Sequence, residues 1–497
     1  MDSDQFKYLK TRRGFIRQAA CAALGTAALT NTIRDLRFIN AAMAQTAIND
    51  YKALVCVFLA GGNDSNNLII PTIQAEYDNY AAIRTQILAI PYSNILGISP
   101  LNSDGHNYGF HPACVELQTL FGEGKLAPVF NVGTLVYPIT AAQYKANSVT
   151  RPPQLFSHSD QITQWQTSIP DQPPVSGWGG RCADLLDAVN SGQTPPGQIA
   201  MAVSLSGSNI FEVGKTVQQY TVSTNGAVAI ASQVSGTRLT TLKNILGLDQ
   251  SHPNLQVDAY AGLATHALNE ASIVNTSIQR TAAANFWTVP FPATITTPNG
   301  GATFNSSLSG QLKMVARLID AGSRATTDNN GLGMKRQIFF CQVGGYDTHT
   351  NQTSGSTGAQ VIIGQQANLL AEISQCFLAF QRAMEQLGLS NKVTTFTSSD
   401  FGRTFPANGQ GSDHGWGSHH LVMGGAVAGQ KTYGRFPVLT VNGPDDTTTG
   451  RWVPSTAVDQ YAATLATWFG VDSSKLSVVF PNIGRFATSN LGFMNAT

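Results

Sequence analysis

The sequence predicts an α/β fold: a doubly wound, mostly parallel central sheet flanked by helices. Three observations predict it. Short, continuous apolar runs are bounded by turn residues, as in strands buried on both faces. Helical periodicities lie between these runs, giving the alternation of a doubly wound sheet. Three of the runs end in a Gly- or Ser-rich turn followed by an aspartate.

Those three are Ala53–Leu59 ending in Gly61-Gly62-Asn63-Asp64, Gln337–Val343 ending in Gly344-Gly345-Tyr346-Asp347, and Lys392–Thr397 ending in Ser398-Ser399-Asp400. Ala127–Val132 reads as another core strand, with a helix over Pro112–Gly122 before it. Leu308–Ser323 carries Leu312, Val315, Ala316 and Ile319 on one stripe. Gln360–Leu387 carries Leu369, Leu370, Ile373, Phe377, Phe380 and Met384 inward. Ala457–Phe469 reads as a closing helix. Residues 195–300 differ: short runs such as Ile199–Leu205 and Tyr220–Ser223 precede a long weak helix from Asp258 to Arg280. This stretch reads as an insertion or cap on a main domain spanning 50–497.

The N-terminus predicts export. Thr11-Arg12-Arg13-Gly14-Phe15-Ile16-Arg17 is the core of a twin-arginine signal. An uncharged stretch, Gln18 to Asn31, follows and is too short to span a bilayer. Ala42-Met43-Ala44 has a small-x-small cleavage pattern, so residues 1–44 read as a signal peptide. The expected partner is the twin-arginine translocase, and the expected location periplasmic or extracellular. The whole chain has a formal charge of +1, and residues 1–44 hold seven Lys or Arg against three Asp or Glu, leaving −3 on the remainder. No basic surplus points to nucleic acid, and no later stretch predicts a membrane span. Five cysteines remain, widely spaced and odd in number, which argues against a disulfide scaffold. Cys56 and Cys341 read as buried free thiols.

Ligands of open α/β sheets bind outside the carboxyl ends of strands. Asp64, Asp347 and Asp400 would converge there if their strands are neighbours. Three converging carboxylates repel and so want a cation. His349 follows Asp347 by two residues, and His414 lies in Ser412-Asp413-His414-Gly415. Imidazole plus carboxylate suits a divalent ion such as zinc or manganese. Asp413 is a candidate partner for His414. His419 and His420 cannot point the same way along a strand, so one is a candidate ligand or base and the other faces packing or solvent.

These residues resemble the exported family called domain of unknown function fifteen hundred and one, which is similar to the alkaline phosphatase and sulfatase superfamily. The resemblance covers nearly all of the mature chain. It is carried by Phe58–Asp64, Gly109-Phe110-His111-Pro112, Gly345-Tyr346-Asp347-Thr348-His349, Ser399-Asp400-Phe401-Gly402-Arg403-Thr404, Asp413-His414-Gly415 and Val458–Leu465. It implies that Asp64, Asp347, His349 and Asp400 are metal ligands, with zinc, manganese or calcium as the expected ion. Phe401 stands where many relatives have His. Either His414 supplies the missing ligand or one metal is absent. The superfamily also needs a nucleophile. The sulfatase pattern Cys-x-Pro-x-Arg is absent around every cysteine, and Ser157, ahead of a helical run, is the candidate hydroxyl. The competing role for Ser157 is a helix cap. Arg151 and Arg403 are candidates to clamp an anionic group.

The resulting expectation is an exported, metal-dependent hydrolase of phosphate or sulfate esters, acting on a small anionic ester or a polysaccharide. The alternative is a non-catalytic export or surface-assembly protein on the same fold. No Gly-x-Ser-x-Gly elbow, P-loop or dinucleotide fingerprint occurs.

Overall fold

The computed structural model describes residues 48–190, 199–227, 235–250, 252–283, 285–328 and 330–495. The signal read in residues 1–44 lies outside them. A nine-stranded sheet runs through the centre. In chain order its strands are β1 Lys52–Leu59, β2 Leu126–Gly133, β3 Ala202–Ser204, β4 Tyr220–Ser223, β5 Gly226–Ala227, β6 Arg336–Val343, β7 Val393–Ser399, β8 Ser418–Met423 and β9 Thr456–Ala457. Their spatial order is β9-β2-β8-β7-β1-β6-β3-β4-β5. β1 is parallel to both neighbours, β6 and β7. β8 is antiparallel to β7 and β2, and β4–β5 is an antiparallel hairpin. The other pairs are parallel.

The apolar runs of the sequence are the long strands, and their side chains alternate between two cores. On β1, Ala53, Val55, Val57 and Leu59 join one hydrophobic cluster, while Leu54, Cys56 and Phe58 join the other. Helices cover both. The main ones are α1 Gln74–Leu88, α2 Val115–Gly122, α3 His158–Thr167, α4 Trp178–Leu186, α5 Leu255–Ser277, α6 Ser307–Ser323, α7 Gln365–Gln386 and α8 Val458–Phe469. The stripe Leu312, Val315, Ala316 and Ile319 of α6 is fully buried, each larger side chain contributing about 1.5–3 kcal/mol by leaving water. The helix expected from Gln360 begins instead at Gln365. Gly364 has φ +121° and separates α7 from a single turn over Gly358–Val361.

β8 departs from a parallel pattern for a topological reason. No helix lies between Asp400 and Ser418, and a parallel return needs a crossover of about a dozen residues, usually helical. Successive residues on β8 face opposite sides. His419 packs its ring against Phe130 and Phe436, and His420 packs against Trp165. Both rings are buried, so neither faces solvent, and burial pushes both imidazoles down to about 3.

Residues 195–300, read as an insertion, contribute β3, β4 and β5 to one edge of the central sheet, with α5 packed beside β5. Glu212, between β3 and β4, is fully buried. Burial pushes its carboxyl up to about 8, against a hydrogen bond from Asn209 Nδ2 at 2.8 Å. The native state therefore keeps this proton while the unfolded chain loses it near its ordinary value of 4.5. Stability falls as pH rises across that interval, by at most about 1.4 kcal/mol per pH unit. Glu212→Gln is expected to flatten this pH dependence, read as melting temperature at pH 5 and pH 8; an identical slope in the variant would refute the assignment.

The five cysteines of the described chain are unpaired and buried, and burial pushes the Cys56 thiol up to about 12. Among the described residues no helix is long and apolar enough to cross a membrane.

Candidate metal centre

The three acid-bearing turns follow β1, β6 and β7, which are adjacent at the middle of the sheet. They are built against one another through Gly61. Its N–H donates to Asp400 Oδ1 at 3.0 Å and its carbonyl accepts from Arg403 Nη1 at 3.2 Å. Gly61 has φ +120°, and a Cβ there would lie 2.3 Å from the backbone nitrogen of Asp347. No other residue fits both the backbone angle and the space. Gly61→Ala is expected to push the 346–347 turn away and cost about 1–3 kcal/mol, measured by urea unfolding; a change below about 0.5 kcal/mol would overturn this.

Three ligand-type side chains, His158, Asp347 and His414, meet above this platform, and a third histidine, His349, stands beside them. Asp347 Oδ1 lies 3.1 Å from His349 Nε2 and 3.3 Å from His414 Nε2, and its Oδ2 lies 3.5 Å from His158 Nε2. His349 and His414 bring their Nε2 atoms within 2.8 Å of each other. Donor atoms of His158, Asp347 and His414 all lie within 4.8 Å of one another. A tetrahedral ion with bonds of about 2.0–2.2 Å requires ligand atoms spaced about 3.3–3.6 Å apart; the Asp347 contacts to His414 and His158 match this, while His349 and His414 at 2.8 Å stand closer than two ligands of one ion.

Tautomers follow from the partners of the other ring nitrogens. His414 Nδ1 is 2.7 Å from the Phe156 carbonyl, which can only accept. His158 Nδ1 is 2.7 Å from Asp400 Oδ2, and His349 Nδ1 is 2.9 Å from Asp413 Oδ1. All three Nδ1 atoms face an acceptor, and all three rings turn Nε2 toward Asp347. Lone pairs facing each other at 2.8 Å repel unless a proton or a cation lies between them. Two carboxylate–histidine pairs behind the ligands are the usual support of a metal site.

The site's electrostatics are set by few groups. Burial raises the Asp400 carboxyl, opposed by hydrogen bonds from His158 and Gly61. Asp347 is half exposed; its burial raises it, but the Arg403 guanidinium outweighs this and holds it below the usual carboxylate range. Desolvation lowers His414, reinforced by Arg403 and His158. Phe156 holds φ +73°, an uncommon angle for a bulky residue. Its carbonyl is the one that holds His414.

The residues singled out in the sequence divide into two groups. Asp347, His349 and His414 come together. Asp400 stands behind His158 as its hydrogen-bond partner. Asp413, expected behind His414, holds His349 instead. Asp64 is outside the cluster: its buried carboxylate pairs with Arg84, accepts from Gln352 Nε2 and caps the turn Ser65–Leu68 through Asn66 N–H. Two arginines and the imidazoles thus relieve the expected carboxylate repulsion. Arg403 is buried and committed: Nη1 goes to Asp347 at 2.8 Å and to the Gly61 carbonyl, and Nη2 to the Ser412 carbonyl. Ser157 precedes α3 without capping it; its hydroxyl donates to Asp160 Oδ2 at 2.6 Å. Arg151 bonds Asn147 and lies over Tyr144, beside an open groove of about 710 Å³ that runs along residues 144–155.

His158 was not assigned from the sequence as a ligand. Its only signal was its place next to Ser157 at a helix start. Phe401, where a histidine was expected, is a wall of the site. Its ring lies 4.9 Å from that of His158 and 4.6 Å from that of His414.

Fold and site together define an α/β protein with a candidate His158–Asp347–His414 cluster, flanked by His349, at the carboxyl end of its central strands. The chain belongs to the family described as Protein of unknown function (DUF1501), whose model matches residues 51–478. No curated protein matches the sequence. Among solved structures, the chain is similar to Ps i-CgsB in complex with k-i-k-neocarrahexaose at 8% identity and a TM-score of 0.28, over 86% of this chain and 74% of that one.

Proposed function

We propose that this chain is an exported, metal-dependent hydrolase of phosphate or sulfate esters. The observation that carries the reading is the convergence of three Nε2 atoms on Asp347, with each opposite nitrogen tied to an acceptor. His158, His414 and Asp347 would hold a divalent ion, with His349 beside them and zinc favoured by the imidazole-rich set. Such an ion acts as a Lewis acid toward an ester oxygen. Ser157, next in chain to His158, is the candidate nucleophile. The 2.6 Å hydrogen bond to Asp160 gives its proton a place to go. Export rests on Arg12 and Arg13 with the apolar stretch and Ala42-Met43-Ala44 behind them.

The non-catalytic alternative is favoured by one observation. Phe401 fills a position inside the cluster where a histidine would complete a second site.

The test is protein recovered from its natural export route, analysed for metal and assayed on aryl phosphates, phosphodiesters and aryl sulfates. About one equivalent of metal and turnover lost in Ser157→Ala support the hydrolase. Bound metal with no turnover on any ester supports the alternative. Metal-free protein that gains none on dialysis against zinc or manganese refutes both the ion and the reaction.

A further inference from the structure

The guanidinium expected to grip an anion, Arg403, has its Nη atoms turned inward to Asp347 and to two backbone carbonyls. Arg451 is placed differently. Its Nε donates to the backbone carbonyl of His414 at 2.7 Å, and its guanidinium carbon lies 4.2 Å from the centre of the Phe156 ring. Phe156 leads directly into Ser157 and His158, and its carbonyl holds His414. Arg451 therefore sits astride the two segments that carry His158 and His414. Its own backbone is fixed: the N–H groups of Thr448, Gly450 and Arg451 all converge on Asp446 Oδ1, at 3.1, 2.8 and 2.9 Å. Arg451 is only partly buried. Among the described residues, Nε is its single hydrogen-bonding nitrogen, which leaves the Nη edge of the planar fork for a ligand.

We propose that Arg451 binds the tetrahedral oxyanion of the substrate, a phosphate or sulfate group, through its Nη edge beside the metal-ligand cluster; this rests on the hydrolase reading of that cluster. A guanidinium stacked on an aromatic face and tied at Nε has lost little freedom that binding would cost, and its fork matches two oxygens of such an anion. Lysine cannot reproduce the fork.

The experiment uses metal-loaded full-length mature protein, with inorganic phosphate and inorganic sulfate as separate probes. Wild type is titrated calorimetrically, alongside Arg451→Lys and Arg451→Gln, with metal content and melting temperature measured in parallel. The expected result is a 10- to 100-fold weaker dissociation constant in Arg451→Gln, an intermediate loss in Arg451→Lys, and unchanged metal content in both. The preferred probe identifies the oxyanion. With an ester that turns over, KM rises in the same order. Equal anion affinity in all three proteins, or loss of metal from Arg451→Lys, reduces Arg451 to a bracket between loops and overturns the proposal. Wild type that binds no metal instead sinks the hydrolase reading, an outcome visible before any anion is added.

Discussion

Asp347→Ala is expected to bind zinc or manganese at least ~100-fold more weakly than wild type. Its carboxylate lies within 3.5 Å of all three Nε2 atoms, so its loss removes a candidate ligand and the anionic charge that would draw the ion. Loss of a partner behind a ligand costs about 10–100-fold in affinity, and a direct ligand costs more. Asp400→Asn supplies the comparison: it leaves the ligands in place but weakens the hold on His158 Nδ1, and should fall in that lower range. Asp347 also pairs with the buried Arg403 at 2.8 Å, so Asp347→Asn, which keeps an acceptor for that guanidinium, is measured beside the alanine variant. Acid should act in the same direction, since protons and the ion compete for the same lone pairs. Competition with a chelator of known affinity measures each variant. Equal metal affinity in Asp347→Ala and wild type would remove the centre.

Arg84→Met is expected to cost about 3–5 kcal/mol of stability. Arg84 and Asp64 form an ion pair with both side chains essentially out of water. Arg84 also donates to the carbonyls of Thr404 and Phe405, at 3.3 and 3.0 Å. Removing one partner of a buried pair leaves an uncompensated charge, which is the costly case. Asp64→Asn should be destabilising as well, and the double variant should recover part of the loss, because the two effects are not additive for residues in contact. The same variants separate two roles for Asp64. A ligand would take metal affinity with it; a structural anion would not. Urea unfolding and metal titration of Asp64→Asn decide between them, with unchanged metal affinity expected.

Most of the central sheet was legible because its strands are buried on both faces and so read as continuous apolar runs. The helix stripes of α6 and α7 were legible for the matching reason. The direction of β8 was not, since Ser418–Met423 has the same kind of composition whichever way it runs. In the site, Asp347 and His349 were legible as a pair after one strand, and His414 through its neighbours. Asp64 shows why a strand-end aspartate is ambiguous. The same position serves a capped turn and an internal salt bridge, and the arginine that decides it lies 20 residues on, within a helix. His158 reaches the cluster from a helix start 242 residues away in sequence from its partner Asp400. No local pattern encodes a meeting of that kind.

That distance has a consequence for how the protein is assembled. The contacts that build the centre join residues separated by 242 and 258 positions, on segments docked to strands from both halves of the sheet. Closing such long loops is slow, and nothing local rewards it until the non-local partners arrive. A short segment folding early would carry one or two of the ligands at most. An ion held by this cluster would therefore be captured late, as a lock on a completed chain rather than as a nucleus around which it folds.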